Sequence, residues 1–199
     1  EELVLLAGHL DAWDAGTGAQ DDGAGVVLAL AAARQLLQQD MRPRRTVRVV
    51  HYTAEETGVQ GARAYLEAHR HELDRHVLAM ESDSGSFAPR GFTVDADDPV
   101  IADLAARCAP LARLAPEHWA VRRGGSGADI GFIVREGVVG VGHRVDTTRY
   151  FDVHHSGADT FEKIDPTDLA RNVAAIAGLA WVVAEPTARP GDITVGGSE

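Results

Sequence analysis

A histidine closes an apolar run at Gly8-His9-Leu10-Asp11, and two adjacent acids follow in a glycine-rich turn at Gln20-Asp21-Asp22-Gly23-Ala24-Gly25. These are metal-ligand types, and a neutral imidazole suits zinc. His9 reads as a ligand and Asp21 as a carboxylate that bridges. If His9 ends a strand, Asp11 points to the same side and can hold the other ring N–H. Glycines at 16, 18, 23 and 25 permit the tight bends of a loop wrapped around an ion. Glu55-Glu56, Glu81-Ser82-Asp83 and His154-His155 supply further carboxylates and imidazoles.

What must position them is an alternation of strands and helices. Residues 3–7 form a short apolar run ending in glycine, the pattern of a buried parallel strand. Strands are also expected at 46–53, 77–80, 91–94 and 138–141, and helices at 24–39, 62–73, 99–111, 129–136 and 166–184. Residues 115–127 and 142–165 read as loops. This is an α/β fold with a mostly parallel central sheet flanked by helices. Ligands of such sheets bind beyond the carboxyl ends of the strands. His9, Glu55-Glu56 and Asp83 each follow a predicted strand directly, so three strands deliver four metal-competent groups to one edge.

Each residue has a plainer reading when taken singly. Asp21 and Asp22 could cap the next helix, Glu55 and Glu56 could sit at a helix start, and Asp83 could make an Asx turn. Together, however, these acids would repel one another unless cations lay between them. Two zinc ions resolve the conflict. One is held by His9, Asp21 and Asp83, the other by Asp21, Glu56 and a histidine of the 154–155 pair, with a water or hydroxide bridging opposite Asp21. Glu55 is then free to act as general base.

The chain has 199 residues and a formal net charge of −11. That balance offers nothing to neutralise phosphates, so nucleic acid is excluded as a partner. The single cysteine, Cys108, forms no internal disulfide and reads as a small buried hydrophobe. No run of eighteen apolar residues is seen, so no membrane span is expected. Arg42, Arg44 and Arg45 read as a solvated rim. Residues 1–184 form the core domain and 185–199 a flexible tail.

The segments Gly8-His9-Leu10-Asp11, Asp21-Asp22-Gly23-Ala24-Gly25, Ala54-Glu55-Glu56, Glu81-Ser82-Asp83 and His155-Ser156-Gly157-Ala158-Asp159-Thr160 resemble, in order and spacing, the signature of the M28 zinc peptidases. The detail of Leu10-Asp11-Ala12-Trp13-Asp14, Ala128-Asp129-Ile130 and Tyr150-Phe151-Asp152-Val153-His154-His155-Ser156 resembles its carboxypeptidase Q branch. The resemblance covers residues 3–184 and implies an exopeptidase with two Zn2+ per chain. It makes Glu55 the base, Asp21 the bridge and His155 the last ligand, and implies a cis bond between Asp21 and Asp22. Asp129 and Tyr150 become candidates for substrate contact, with a helix cap and packing as their plainer roles. Trp13 and Trp119 could line a specificity pocket, and His143 and Asp146 could approach substrate.

Members of the family carry further strands and a helix before the first histidine motif. The chain is therefore read as truncated at its N-terminus, a catalytic core from a longer secreted or periplasmic protein. The expected partners are a peptide substrate, those N-terminal segments and a second copy in a homodimer. The alternatives are a single-zinc acyltransferase of the glutaminyl cyclase type and an inactive metal-binding core fragment.

Overall fold

A computed structural model of the chain describes residues 1–192. Its axis is β1, Leu3–His9, every residue of which is buried. β1 lies parallel to β2 (Thr46–Tyr52) on one side and to β3 (His76–Glu81) on the other. β6 (Gly140–Val145) adds to β3 in parallel, β4 (Pro89–Asp95) runs antiparallel to β6, and β5 (Ala120–Arg123) is parallel to β4. The sheet order is β2-β1-β3-β6-β4-β5. Four of the five pairings are parallel, so the α/β reading holds, with one antiparallel seam.

The pleat of β1 divides its side chains between two cores. Val4 and Leu6 pack with Leu28, Ala32 and Ile176 from α1 (Ala24–Gln38) and α5 (Pro166–Ala184), together with Leu104 from α3 (Asp98–Cys108). Leu3, Leu5 and Ala7 pack on the other face with Ala62 of α2 (Gln60–His69), and with Ile130 and Ile133 at α4 (Gly131–Val134). Asp165 caps α5 by accepting from the amides of Thr167 and Asp168, and Pro166 occupies the first turn. α5 contains no run of eighteen apolar residues, yet by length and mean hydropathy (19 residues, 1.2) it is long and apolar enough to cross a membrane. Here it is a core helix, with Ile176, Leu179, Ala180 and Val183 buried.

Several expectations need correction. β5 lies inside the expected loop 115–127, because four residues of mixed polarity at a sheet edge carry little periodic signal. The strand expected at 138–141 is displaced to Gly140–Val145, and the 142–165 loop therefore begins as strand. The helix expected over 62–73 ends at His69 and tightens into a 3-10 segment, Arg70–Arg75. Arg45 is no rim residue. It is 5% exposed and donates to Glu2 and to the carbonyls of Val183, Pro186 and Thr187. The expected loose tail is tied down as far as Asp192: Arg107 donates to the carbonyls of Ala188 and Arg189, and Gly191 donates to Asp103. Residues 193–199 of that tail lie outside the described residues. Cys108 is fully buried, as expected.

At the opposite end of the sheet from His9, a polar cluster joins β2, α2 and β3. Arg48 donates to Glu72 at 2.7 Å and to the Tyr65 hydroxyl at 2.9 Å, and His69 meets the same Glu72 oxygen at 2.6 Å. The Arg48 hydrogen bond, against partial burial and with His69 assisting, holds the Glu72 carboxyl down to about 2. A carboxyl depressed in the folded state stabilises it above the unfolded value of 4.5 and loses that contribution as pH falls toward about 2. Glu72→Gln is therefore expected to lower stability near neutral pH by about 1–3 kcal/mol. In urea denaturation the gap between variant and parent should close as the pH is lowered through that window.

Candidate metal centre

β1 delivers His9 to the carboxyl edge of the sheet, and the ring is 1% exposed. Its Nδ1 lies 2.9 Å from the main-chain oxygen of Asp11, which can only accept, so Nδ1 carries the proton and Nε2 faces inward. There it meets Asp21 Oδ1 and Asp83 Oδ1, each at 3.3 Å. The orienting group is thus the Asp11 carbonyl and not its carboxylate, which is 3.8 Å from the ring. The Asp11 carboxylate does a different job: it accepts the amides of Glu55 and Glu56, each at 3.1 Å, and so holds the turn after β2.

The peptide bond between Asp21 and Asp22 is cis. Asp159 accepts from the amides of Gln20 and Asp21 at 2.7 and 3.0 Å. Asp22 accepts from His9 N and Gly25 N, so the capping reading fits Asp22 but not Asp21. Gly25 is needed here, because a Cβ would collide with the Ser82 carbonyl and the Asp22 carboxylate. Asp21 is left with Oδ1 toward His9 and Oδ2 toward both His154 and His155, each at 3.4 Å. His155 Nε2 also lies 3.0 Å from Glu56 Oε2. The two imidazoles stack at 3.7 Å, and Trp13 stacks on His155 at 4.7 Å.

Below this layer, Glu81 is 2% exposed and accepts from the amides of Ala128 and Ile130 at 3.0 and 2.8 Å. Burial pushes its carboxyl up to about 8, against the Ile130 hydrogen bond. Gly127, at φ +135°, has no room for a Cβ beside the Glu81 carboxylate. Asp129 is buried with both oxygens unpartnered. Burial, then the nearby Glu55 charge, pushes it up to about 7. Tyr150 is buried against His154, and burial with the acids Asp21 and Asp83 nearby raises its hydroxyl. Trp119 packs on Phe92 in the core, and Asp146 pairs with Arg90. His143 is buried between Ser82 and Asn172.

The site residues therefore meet in one place. His9, Asp21 and Asp83 offer ligand atoms within 4.8 Å of one another, as do Asp21, His154 and His155. Asp21 Oδ2 and Glu56 Oε1 are buried with no hydrogen-bond partner. Burial opposes charge on His9, yet hydrogen bonds with Asp21 and Asp83 outweigh it and push the imidazole up to about 12. A proton is thus drawn to a point where a divalent cation would serve the same carboxylates, and the oxygen and nitrogen donors fit zinc. Asp159 is the residue whose role sequence reasoning missed. It stands in the histidine segment, but nothing local ties it to a turn 139 residues earlier.

Carboxylates and imidazoles gathered at the strand ends of an α/β sheet define a metal-binding α/β frame. The chain belongs to peptidase family M28, whose sequence profile matches residues 1–180. Carboxypeptidase Q of Mus musculus is 40% identical over 185 residues, covering 93% of this chain and 39% of the mouse protein. The crystal structure of a peptidase M28 precursor from Shewanella amazonensis superposes with a TM-score of 0.86 at 39% identity, over 95% of this chain and 42% of that one. A zinc aminopeptidase from Bacillus subtilis shares the fold at a TM-score of 0.73 and 19% identity, over 96% of this chain and 48% of that one. The chain thus spans about two fifths of the mouse relative's length.

Asp159→Ala would leave two buried amides without acceptors. It is expected to cost about 2–5 kcal/mol in chemical denaturation and to weaken zinc binding by roughly 10–100-fold in a chelator competition. Asp159→Asn, which keeps one acceptor oxygen, should lose less of both.

Proposed function

We propose that the chain is the metal-holding core of a zinc exopeptidase that hydrolyses dipeptides or the N-terminal peptide bond of short peptides. One observation carries the reading: His9 Nε2 and His155 Nε2 approach the two different oxygens of Asp21, at 3.3 and 3.4 Å. That approach supports reading Asp21 as the carboxylate that would be shared between two ions. One zinc would be held by His9, Asp21 and Asp83, the other by Asp21, Glu56 and His155. His155 is preferred to His154 because its Nε2 also reaches Glu56. Bound zinc would supply Lewis-acid polarisation of the scissile carbonyl and a lowered pKa for the attacking water.

The chain's own residues do the rest. Glu55 takes a proton from the attacking water and returns it to the leaving amine. Burial, with Asp83, Glu56 and Asp21 close by and against the pull of His9, raises its carboxyl. That suits a group that must keep the proton between two steps. Asp11 holds the Glu55 and Glu56 amides and so positions both. Asp129 adds to the negative field that receives the substrate's ammonium group, and the Tyr150 hydroxyl donates to the developing oxyanion. The names carboxypeptidase and aminopeptidase among the relatives point to opposite chain ends, and a dipeptide presents both.

With zinc loaded, Glu55→Gln is expected to lower kcat on a dipeptide panel by about 10²–10⁴-fold while zinc content by atomic absorption stays unchanged. Asp21→Ala should lose zinc instead. If Glu55→Gln retains turnover within about tenfold of the parent, Glu55 is not the base. If the zinc-loaded parent cleaves nothing that a chelator can inhibit, the chain is a metal-binding core without turnover.

A further inference from the structure

Beside the metal centre lies a cavity of about 330 Å³, lined by Asp83, Thr93, Ser126, Gly142, Arg122 and Arg144 among others. Its floor follows from the pleat. In β4, β5 and β6 the bulky apolar residues Phe92, Val94, Val121 and Val141 turn toward the helices and join the core. The alternate residues Thr93, Arg122 and Gly142 are register partners across the three strands, and Arg144 pairs with Gly91. That face is therefore small residues with two guanidinium groups standing over them.

What sets those guanidinium groups apart is their pairing, not their number. The third arginine nearby, Arg90, pairs with Asp146 at 2.7 Å. Neither Arg122 nor Arg144 has a carboxylate within ion-pair distance among the described residues. Among the described residues the Arg144 side chain donates only to main-chain carbonyls, those of Arg90 and Ala120. Partial burial, then the charges of Arg122 and Arg90, lowers its pKa. Two cations thus line a cavity that Asp83, 3.3 Å from His9, lines as well. A guanidinium fork matches a carboxylate in shape and charge.

We propose that this cavity is a carboxylate subsite, in which Arg122 and Arg144 bind an anionic group of the peptide substrate and set its specificity. The proposal rests on the exopeptidase reading for the identity of the ligand. The anionic group is either an acidic side chain or the free terminal carboxylate.

Zinc-loaded protein tests it on two matched pairs: Glu-Ala against Gln-Ala, and Ala-Ala against its C-terminal amide. For one pair, kcat/KM is expected to favour the carboxylate by roughly 10–100-fold, carried in KM; which pair does so identifies the source. The Arg122 side chain has no hydrogen-bond partner among the described residues, so Arg122→Ala should leave the fold intact. It should remove the preference, costing the carboxylate member of the pair far more than the neutral one. Arg122→Glu should go further and reverse it, favouring Lys-Ala over Glu-Ala if the side-chain pair shows the preference, or the C-terminal amide over free Ala-Ala if the terminal pair does, a reversal that a structural role would not produce. Equal effects of both variants on charged and neutral members, or no preference in the parent, would overturn the subsite. If the parent hydrolyses none of these peptides, the exopeptidase reading fails by itself. Calorimetric titration with the same pairs then decides the subsite: tighter binding of the carboxylate member, lost in Arg122→Glu, upholds it, and indifference refutes it.

Discussion

Mutual repulsion among carboxylates is the constraint around which this molecule is arranged. Asp11, Asp21, Asp22, Glu55, Glu56, Glu81, Asp83, Asp129 and Asp159 gather near one end of the sheet, several of them almost without solvent. The fold manages them by giving them two kinds of work. Asp11, Asp22, Glu81 and Asp159 spend their oxygens on main-chain amides. A buried carboxylate satisfied by amides is both tolerated and useful, because it fixes the loop whose amides it accepts. Asp21, Glu56 and Asp83 are turned instead toward histidines and one another. The second group is the one that calls for a cation.

Sheet topology explains why the amide-holding acids are needed. β1, β2 and β3 end side by side, but the turns that follow them would wander without an internal tether. Asp11, after β1, tethers the turn after β2. Glu81, at the end of β3, tethers the start of α4. Asp159, from the loop before α5, tethers the turn that carries Asp21. Each tether joins a different pair of segments, so the site is held by the closed fold and not by any local sequence. Across the antiparallel seam the packing changes character. β4, β5 and β6 bury one face against α3 and α5 and leave glycine, threonine and arginine on the other.

Legibility in the sequence follows from how local the determining interaction is. β1, β3, α1 and α5 are dense apolar or alanine-rich segments, and their positions are readable because burial on both sides leaves one consistent pattern. Convergence of His9, Glu55-Glu56 and Asp83 is readable because each follows a strand. β5 is not, since an edge strand of Ala-Val-Arg-Arg needs its neighbour to be recognised. Arg45 misleads for a related reason: a guanidinium among arginines reads as solvated until the carbonyls of Val183 and Pro186 arrive from the far end of the chain. Asp11 is correctly placed beside His9, yet its carboxylate points to partners 44 and 45 residues away.

Adjacency in the sequence carries one further physical meaning. Asp21 and Asp22, Glu81 and Asp83, and Glu55 and Glu56 are close pairs, and each divides its labour. Asp22 binds amides while Asp21 faces the histidines. Glu81 binds amides while Asp83 faces His9. In the glutamate pair neither side chain tethers the backbone, so the anchoring falls to Asp11, which accepts both amides. Asp21 and Asp22, like Glu55 and Glu56, are consecutive, so their side chains leave the backbone in different directions; Glu81 still lies in β3 whereas Asp83 lies beyond its end. An anchored neighbour can therefore hold a reactive one without touching it. The repeated acidic pairs are thus more than an accumulation of charge, since each places a reactive carboxylate beside a segment of backbone that another carboxylate has fixed.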